Sequence, residues 1–114
     1  MAKRVAVIDI GSNSIRMAIY EKTSRFACHL LYETKSKVRI SENAYQNAGT
    51  LQEKAMQRTF DALSEFLEIS NSFSVRKTLC VATSSLRDAP NKQDFLLHVK
   101  NKLKLKLWLS NYLN

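Results

Sequence analysis

Glycine and proline are almost missing, with two glycines and one proline in 114 residues. That excludes collagen-like repeats, Pro-rich spacers and Gly/Ser low-complexity tracts. Cysteine is as sparse: Cys28 and Cys80 form no Cys-x-x-Cys pair and no metal-ligand spacing, which excludes a disulfide framework or a zinc motif. Both lie in apolar, strand-like runs and read as buried, reduced thiols, as expected of a cytoplasmic protein. No apolar stretch approaches the roughly 20 residues of a membrane span. The opening MAKRVAVIDIG is no signal peptide, because Asp9 interrupts its short apolar run. No Gly-Lys-Ser/Thr follows the first glycine, so the chain carries no P-loop.

Acidic side chains are the minority, ten against eighteen Lys and Arg, for a formal charge of +8. Such a balance attracts anions, whether nucleic acid, polyphosphate or phosphorylated nucleotides, but it also simply aids solubility. The cations are spread from Lys3 to Lys106 without a Lys/Arg block of the kind that forms a nucleic-acid tail. The length implies one domain, and the apolar fraction of 45% is ordinary for a globular core.

Residues 5–10, VAVIDI, read as a strand buried on both faces. The turn GSNS at 11–14 leads into a second strand over 15–21. A third strand spans about 26–40, so the chain opens as an antiparallel meander. After the polar loop 41–49, a helix begins at Thr50 as N-cap, with Glu53 completing a capping box. Its stripe of Leu51, Ala55, Met56, Thr59, Phe60, Leu63, Phe66 and Leu67 runs toward Ser70. Residues 78–83 form a fourth strand. A second helix starts near Asn91 and buries Phe95, Leu96, Val99 and Leu103. Leu103, Leu105, Leu107 and Leu109 then alternate with lysines, which predicts a final strand. An amphipathic membrane-surface segment would need helical spacing, which is lacking here. The order β-β-β-α-β-α-β implies an α/β fold with one mixed five-stranded sheet. The fourth strand should lie beside the first and the fifth beside the fourth.

The densest cluster of chemistry is Asp9-Ile10-Gly11-Ser12-Asn13-Ser14-Ile15-Arg16. A strand delivers a carboxylate to its end. Gly11 then permits close backbone approach, and hydroxyls, an amide side chain and backbone N–H groups gather at one bend. Such a bend can cradle a phosphate without a helix, with Arg16 as a bidentate donor. Asp9 repels phosphate and suits a water or a hydrated Mg²⁺. The same residues also describe a plain hairpin turn with an exposed aspartate.

The opening VAVIDIGSNSIRMAIYE resembles that of the exopolyphosphatase and guanosine pentaphosphate phosphohydrolase (Ppx/GppA) family. Residues 80–89, CVATSSLRDA, resemble the family's Ala-Thr-Ser-x-x-Arg-x-Ala segment, and residues 34–40, TKSKVRI, more loosely its Val-Arg-Leu stretch. The resemblance implies an RNase H-like (actin-like ATPase) half-domain over the single unit 1–114. It also implies phosphoanhydride hydrolysis, Mg²⁺ as cofactor, and polyphosphate or a guanosine polyphosphate as partner. By the same resemblance Gly11, Ser12, Asn13, Ser14 and Arg16 form a first phosphate loop. Thr83, Ser84 and Arg87 bind further phosphoryl oxygens, Arg39 adds charge, and Asp9 positions water or metal. Against this, Thr83 and Ser84 also fit a strand-end turn, and Arg87 a pair with Asp88 or Asp94. A kinase of the same superfold shares the first loop, but the Ala-Thr-Ser-x-x-Arg segment favours the phosphatase branch.

The chain departs from the family pattern after the fifth strand. Members continue with Ile-Ser-Gly-x-x-Glu-Ala, whose glutamate is the general base. Here Leu109-Ser110-Asn111-Tyr112-Leu113-Asn114 follows, with Tyr112 near the glutamate's place. Glu33 and Glu42 have no evident claim to the role. The change after Leu107 reads as a truncated or frameshifted frame, or as a half-domain. The expectation is therefore a fragment inactive alone, or a non-catalytic anion-binding module. It should also self-associate weakly through surface left open, with Trp108, Tyr112 and Leu113 covering part of it. Nucleic-acid binding is disfavoured, since Phe26, Tyr32, Phe60 and Phe66 fall on apolar patterns and not on a stacking platform.

Overall fold

The computed structural model describes residues 3–110, without the side chain of Ser84. β1 (Lys3–Ile10), β2 (Ile15–Lys22) and β3 (Cys28–Ser36) open the chain. α1 (Glu53–Ser72), β4 (Lys77–Ala82), the single turn α2 (Ser84–Arg87), α3 (Lys92–Leu103) and β5 (Leu107–Leu109) follow. One sheet of order β3-β2-β1-β4-β5 results. β1, β2 and β3 pair antiparallel, while β4 runs parallel to β1 and β5 parallel to β4. The topology is the one expected, with α2 added between β4 and α3.

Both crossovers pass over one face of the sheet. Ile8 and Ile10 of β1, Ile15, Met17 and Ile19 of β2, and Cys80 of β4 form one buried cluster with Leu63 and Phe66 of α1 and Phe95 and Val99 of α3. Each large side chain fully removed from water stabilises by about 1.5–3 kcal/mol. Parallel strands advancing in one direction with right-handed connections put both helices on that face. β1 is therefore buried on one face only, contrary to expectation. Val5 and Val7 are half-buried and Asp9 is exposed on the other face.

Several local expectations shift for physical reasons. Helix α1 is capped at Gln52, with no side-chain cap bond, and not at Thr50. The Asn91 side chain donates to the Leu51 carbonyl and accepts from the Leu51 N–H, both at 3.0 Å. That pair of hydrogen bonds holds Leu51 ahead of the helix, and Glu53 becomes its first residue, at the favourable end of the helix dipole. Asn91 is the N-cap of α3 but makes no cap bond there. The final strand is shorter than the alternating leucines imply. Leu103 completes the helical stripe of α3, and Lys104 ends the helix in the left-handed conformation at φ 56°. Only Leu107–Leu109 pair as a strand.

β3 ends at Ser36 instead of near residue 40. Val38 and Ile40 leave the sheet and bury themselves, and Arg39 between them is left-handed at φ 48°. Cys80 is buried, but Cys28 is exposed on the edge strand. Phe26 is 94% exposed in the β2–β3 connection and belongs to no apolar pattern. It stands at the opposite end of β2 from the 11–14 turn, apart from Tyr45, the other almost fully exposed aromatic among the described residues. Tyr112 and Leu113, expected to cover open surface, lie outside the described residues, whereas Trp108 is 53% exposed on β5.

Candidate functional site

The carboxyl ends of the parallel strands β1, β4 and β5 gather the 11–14 turn, the segment from Thr83 to Arg87, and Ser110. Open α/β sheets commonly place ligands at this end. The turn is closed by the Gly11 N–H donating to the Ser14 carbonyl at 2.9 Å. A Cβ on residue 11 would stand 3.2 Å from that oxygen, so the close approach favours glycine.

The turn's carbonyls are tied back into the chain. The Asn13 oxygen accepts from the Arg39 N–H at 2.9 Å, and the Ser12 oxygen accepts from the Ser41 hydroxyl at 3.1 Å. Among the described residues, the amide N–H groups of Ser12, Asn13 and Ser14 have no acceptor. Three consecutive donors left over at a bend whose acceptors are engaged form a site for an anion. The Ser12 and Ser85 hydroxyls share a 2.5 Å hydrogen bond, which joins the turn to α2.

The other candidates are placed as follows. Thr83 donates both its N–H (3.1 Å) and its hydroxyl (3.2 Å) to the Ile10 carbonyl, the geometry of a strand-end turn. Its hydroxyl keeps only acceptor capacity for a ligand. The Ser84 side chain lies outside the described residues. Arg87 donates from Nε to Asp88 at 3.1 Å and from Nη1 to the Ser110 carbonyl at 3.0 Å. Arg39 contributes its backbone to the turn, while its guanidinium lies 3.7 Å from Glu42. Glu42 is also bound by Arg58 at 2.8 Å, and Arg58 donates to the Val38 carbonyl at 3.0 Å. Arg58 thus fixes the 38–42 segment behind the turn.

Asp9 and Arg16 face each other across β1 and β2, exposed on the sheet face that carries no helix. Lys35 of β3 stands next to Arg16 in the same row. Neither Asp9 nor Arg16 is in an ion pair among the described residues. The Asp9 charge reaches one strand over. Burial, and secondarily Asp9, push the Cys80 thiol up to about 12.

A cleft of about 440 Å³ opens beside the turn, lined by Ser12 and Asn13 together with Ser41, Tyr45, Ser85 and Asp88. Ser41, Tyr45 and Ser85 escaped the sequence reading, and Asp88 entered it only as a partner for Arg87, a pair that forms at 3.1 Å. Ser41 and Tyr45 sat in a stretch marked only as a polar loop, and no spacing signals that it folds back onto the first turn. Ser85 and Asp88 fell on unspecified positions of the Ala-Thr-Ser-x-x-Arg segment.

The sequence model of the Ppx/GppA phosphatase family matches residues 18–108. The chain is 35% identical over 96 residues to the guanosine-5'-triphosphate,3'-diphosphate pyrophosphatase of Aliivibrio fischeri, covering 84% of this chain and 19% of that protein. It is 26% identical over 104 residues to exopolyphosphatase 1 of Mycobacterium tuberculosis, covering 91% of this chain and 30% of that one. A solved Ppx/GppA family member from Aquifex aeolicus superposes with a TM-score of 0.89 at 29% identity, covering 96% of this chain and 35% of that one. The chain thus spans about a third of the solved relative's length and less of the other two. The superposition gives the five-stranded sheet and its helices the RNase H-like, actin-like fold of that family. On the family match, which runs from within β2 to within β5, this chain belongs to the Ppx/GppA phosphatase family.

Proposed function

We propose that these residues form the phosphate-holding part of a phosphoanhydride hydrolase acting on polyphosphate or a guanosine polyphosphate. The observation that carries this reading is the 11–14 turn, with its carbonyls tied back and the amides of Ser12, Asn13 and Ser14 left to donate. Phosphoryl transfer depends on positioning and on neutralising charge from more than one side. Here the turn amides supply oriented donors, and Arg16 and Arg87 supply charge. The names of the relatives support the substrate class.

Mg²⁺ fits this site only in its usual sparse mode. No group of three potential ligands occurs among the described residues, so a cage made wholly of protein is not on offer. Asp9, exposed and outside any ion pair among those residues, is the carboxylate that would hold a hydrated ion beside substrate phosphates. When bound, Mg²⁺ would neutralise charge on bridging phosphoryl oxygens.

We further propose that the 114 residues bind without turnover. Glu42 is engaged by Arg39 and Arg58, Glu33 stands on β3, two strands from β1, and a missing general base costs about a hundred- to ten-thousand-fold in rate. The two free thiols suit a reducing, cytoplasmic setting. Among the described residues no helix is long and apolar enough to cross a membrane. Titration calorimetry with inorganic tripolyphosphate, paired with a phosphate-release assay in Mg²⁺, tests the reading. The expectation is binding that weakens with salt, falls at least about tenfold in the Arg16→Ala, Arg87→Ala double variant, and yields no released phosphate. Unchanged binding in the double variant would refute it.

A further inference from the structure

The end of the sheet away from the 11–14 turn gathers positive charge. A cleft of about 320 Å³ there is lined by Lys3, Lys22, Thr23, Ser24 and Arg25, with no acid among the described residues that line it. Lys3 and Lys22 are direct cross-strand partners on β1 and β2, and like charges placed opposite each other destabilise a strand pair. None of the three cations is in an ion pair among the described residues. Arg4 makes the contrast. It holds Glu21 at 3.1 Å and the Phe73 carbonyl at 2.9 Å, so the acid next to Lys22 is already engaged in fastening the sheet to the end of α1.

Apolar groups stand among these cations. Phe26 follows Arg25 in the β2–β3 hairpin loop and is 94% exposed. The loop that presents it is closed by the Thr23 N–H donating to the Ala27 carbonyl at 3.1 Å and the Ala27 N–H donating to the Ser24 carbonyl at 3.4 Å. Cys28 pairs with Lys22. In the next row Leu30, which is exposed, pairs with Tyr20, and Tyr20 with Val5. Strand alternation puts both rows on the helix-free face with Lys3. Lys77 of β4, beside Val5, adds a further cation.

A protruding apolar residue ringed by cations has the composition of an interfacial anchor. The apolar group enters the boundary between headgroups and acyl chains, and the cations meet headgroup phosphates. Other anions would use less of the surface. A free phosphate would engage the cations and leave Phe26 and Leu30 in water. A nucleic-acid strand stacks successive bases on several aromatics, and at this end Phe26 is the one exposed aromatic among the described residues.

We propose that the far end of the β2–β3 hairpin docks on an anionic lipid surface, with Phe26 entering the interface and Lys3, Lys22 and Arg25 on the headgroups. The eight residues of β1 separate this end from the 11–14 turn by about 25 Å. Docking therefore leaves the turn in water and does not depend on what the turn binds.

The test is co-sedimentation of the 114-residue chain with vesicles of equal parts phosphatidylglycerol and phosphatidylcholine, beside vesicles of phosphatidylcholine alone. The chain should bind the anionic vesicles, spare the neutral ones and come off as salt rises. Lys3→Gln, Lys22→Gln and Arg25→Gln together should weaken binding about 100-fold, roughly fivefold per cation. Lys54→Gln, Lys100→Gln and Lys102→Gln together, which remove the same charge elsewhere, should change it little. Phe26→Ser should weaken docking about tenfold and leave tripolyphosphate binding unchanged. Phe26→Trp in a Trp108→Phe background should shift its emission to the blue on anionic vesicles. The Arg16→Ala, Arg87→Ala double variant should still dock, which separates the lipid surface from the phosphate reading of the turn.

No binding to anionic vesicles, or no emission shift at position 26, overturns the proposal. Equal losses in the two triple variants reduce the effect to net charge and also overturn it. A single-stranded oligonucleotide that binds more tightly than the vesicles, and is weakened by Phe26→Ser, overturns it in favour of a nucleic-acid strand. Release from the vesicles by inorganic phosphate at constant ionic strength overturns it in favour of a free-phosphate site.

Discussion

The two cysteines share a side chain and differ in environment. Cys80 lies at the middle of β4 under the helices, and burial, followed by the Asp9 charge, pushes its thiol up to about 12 from an ordinary 9.0. Cys28 begins β3 and is exposed. Native protein treated with iodoacetamide at pH 8 should therefore take one label, at Cys28, and a second only in denaturant, as read by mass spectrometry. A label on native Cys80 would contradict the packing. The same shift sets a pH dependence. Cys80 stays protonated in the folded state after the unfolded chain has begun to ionise. Its stabilisation is full below about pH 9 and is lost as pH rises toward about 12. Urea midpoints should fall across that window, and Cys80→Ala should flatten the fall. Cys28 was misread as buried because CHLLYE is apolar. Apolar identity does not reveal that a strand sits at the sheet edge. The 11–14 turn was legible, because Gly11 and its polar neighbours follow a buried strand directly. The roles of Ser41 and Ser85 were not, since they depend on segments about 29 and 73 residues away meeting Ser12.

At the scale of elements, the strands and both long helices followed from periodicity, and the errors sit at their ends. Leu103 satisfied both the helical stripe and the alternating lysine-leucine pattern, and a helix already propagating added one more bond per residue. Thr50 looked like a cap because local sequence cannot show that Asn91 occupies the Leu51 backbone. Two predictions follow this geometry. Asn91→Ala leaves both Leu51 polar groups without their partner and should cost about 1–3 kcal/mol, read from the urea midpoint. Asn91→Asp, which can still accept from the N–H, should cost less. Lys104→Gly relieves a left-handed non-glycine residue at the end of α3 and should stabilise by up to about 1 kcal/mol, seen as a higher Tm.

For the whole molecule, the helix-free sheet face is the largest feature that composition could not foretell. It presents Val5, Val7 and Val81 with Leu79, which is 39% exposed, and Trp108, with Asp9 and Arg16 in the same row across the sheet. Mixed charge around apolar strands can complement a second copy of itself, whereas the net charge of +8 opposes association. Weak self-association should therefore strengthen with added salt, and Leu79→Lys should abolish it in sedimentation equilibrium. A strict monomer at high concentration and high salt would exclude this interface. Anion binding should respond to salt in the opposite sense, because screening weakens it.

The most direct test of the account is an amide-resolved NMR titration of the 114-residue chain with inorganic tripolyphosphate. The Ser12, Asn13 and Ser14 N–H resonances should move first and farthest, in the direction of stronger hydrogen bonding, with Arg16 and Arg87 side-chain signals following. Shifts confined to the lysines of α3 and its flank, with the 12–14 amides unmoved, would contradict it.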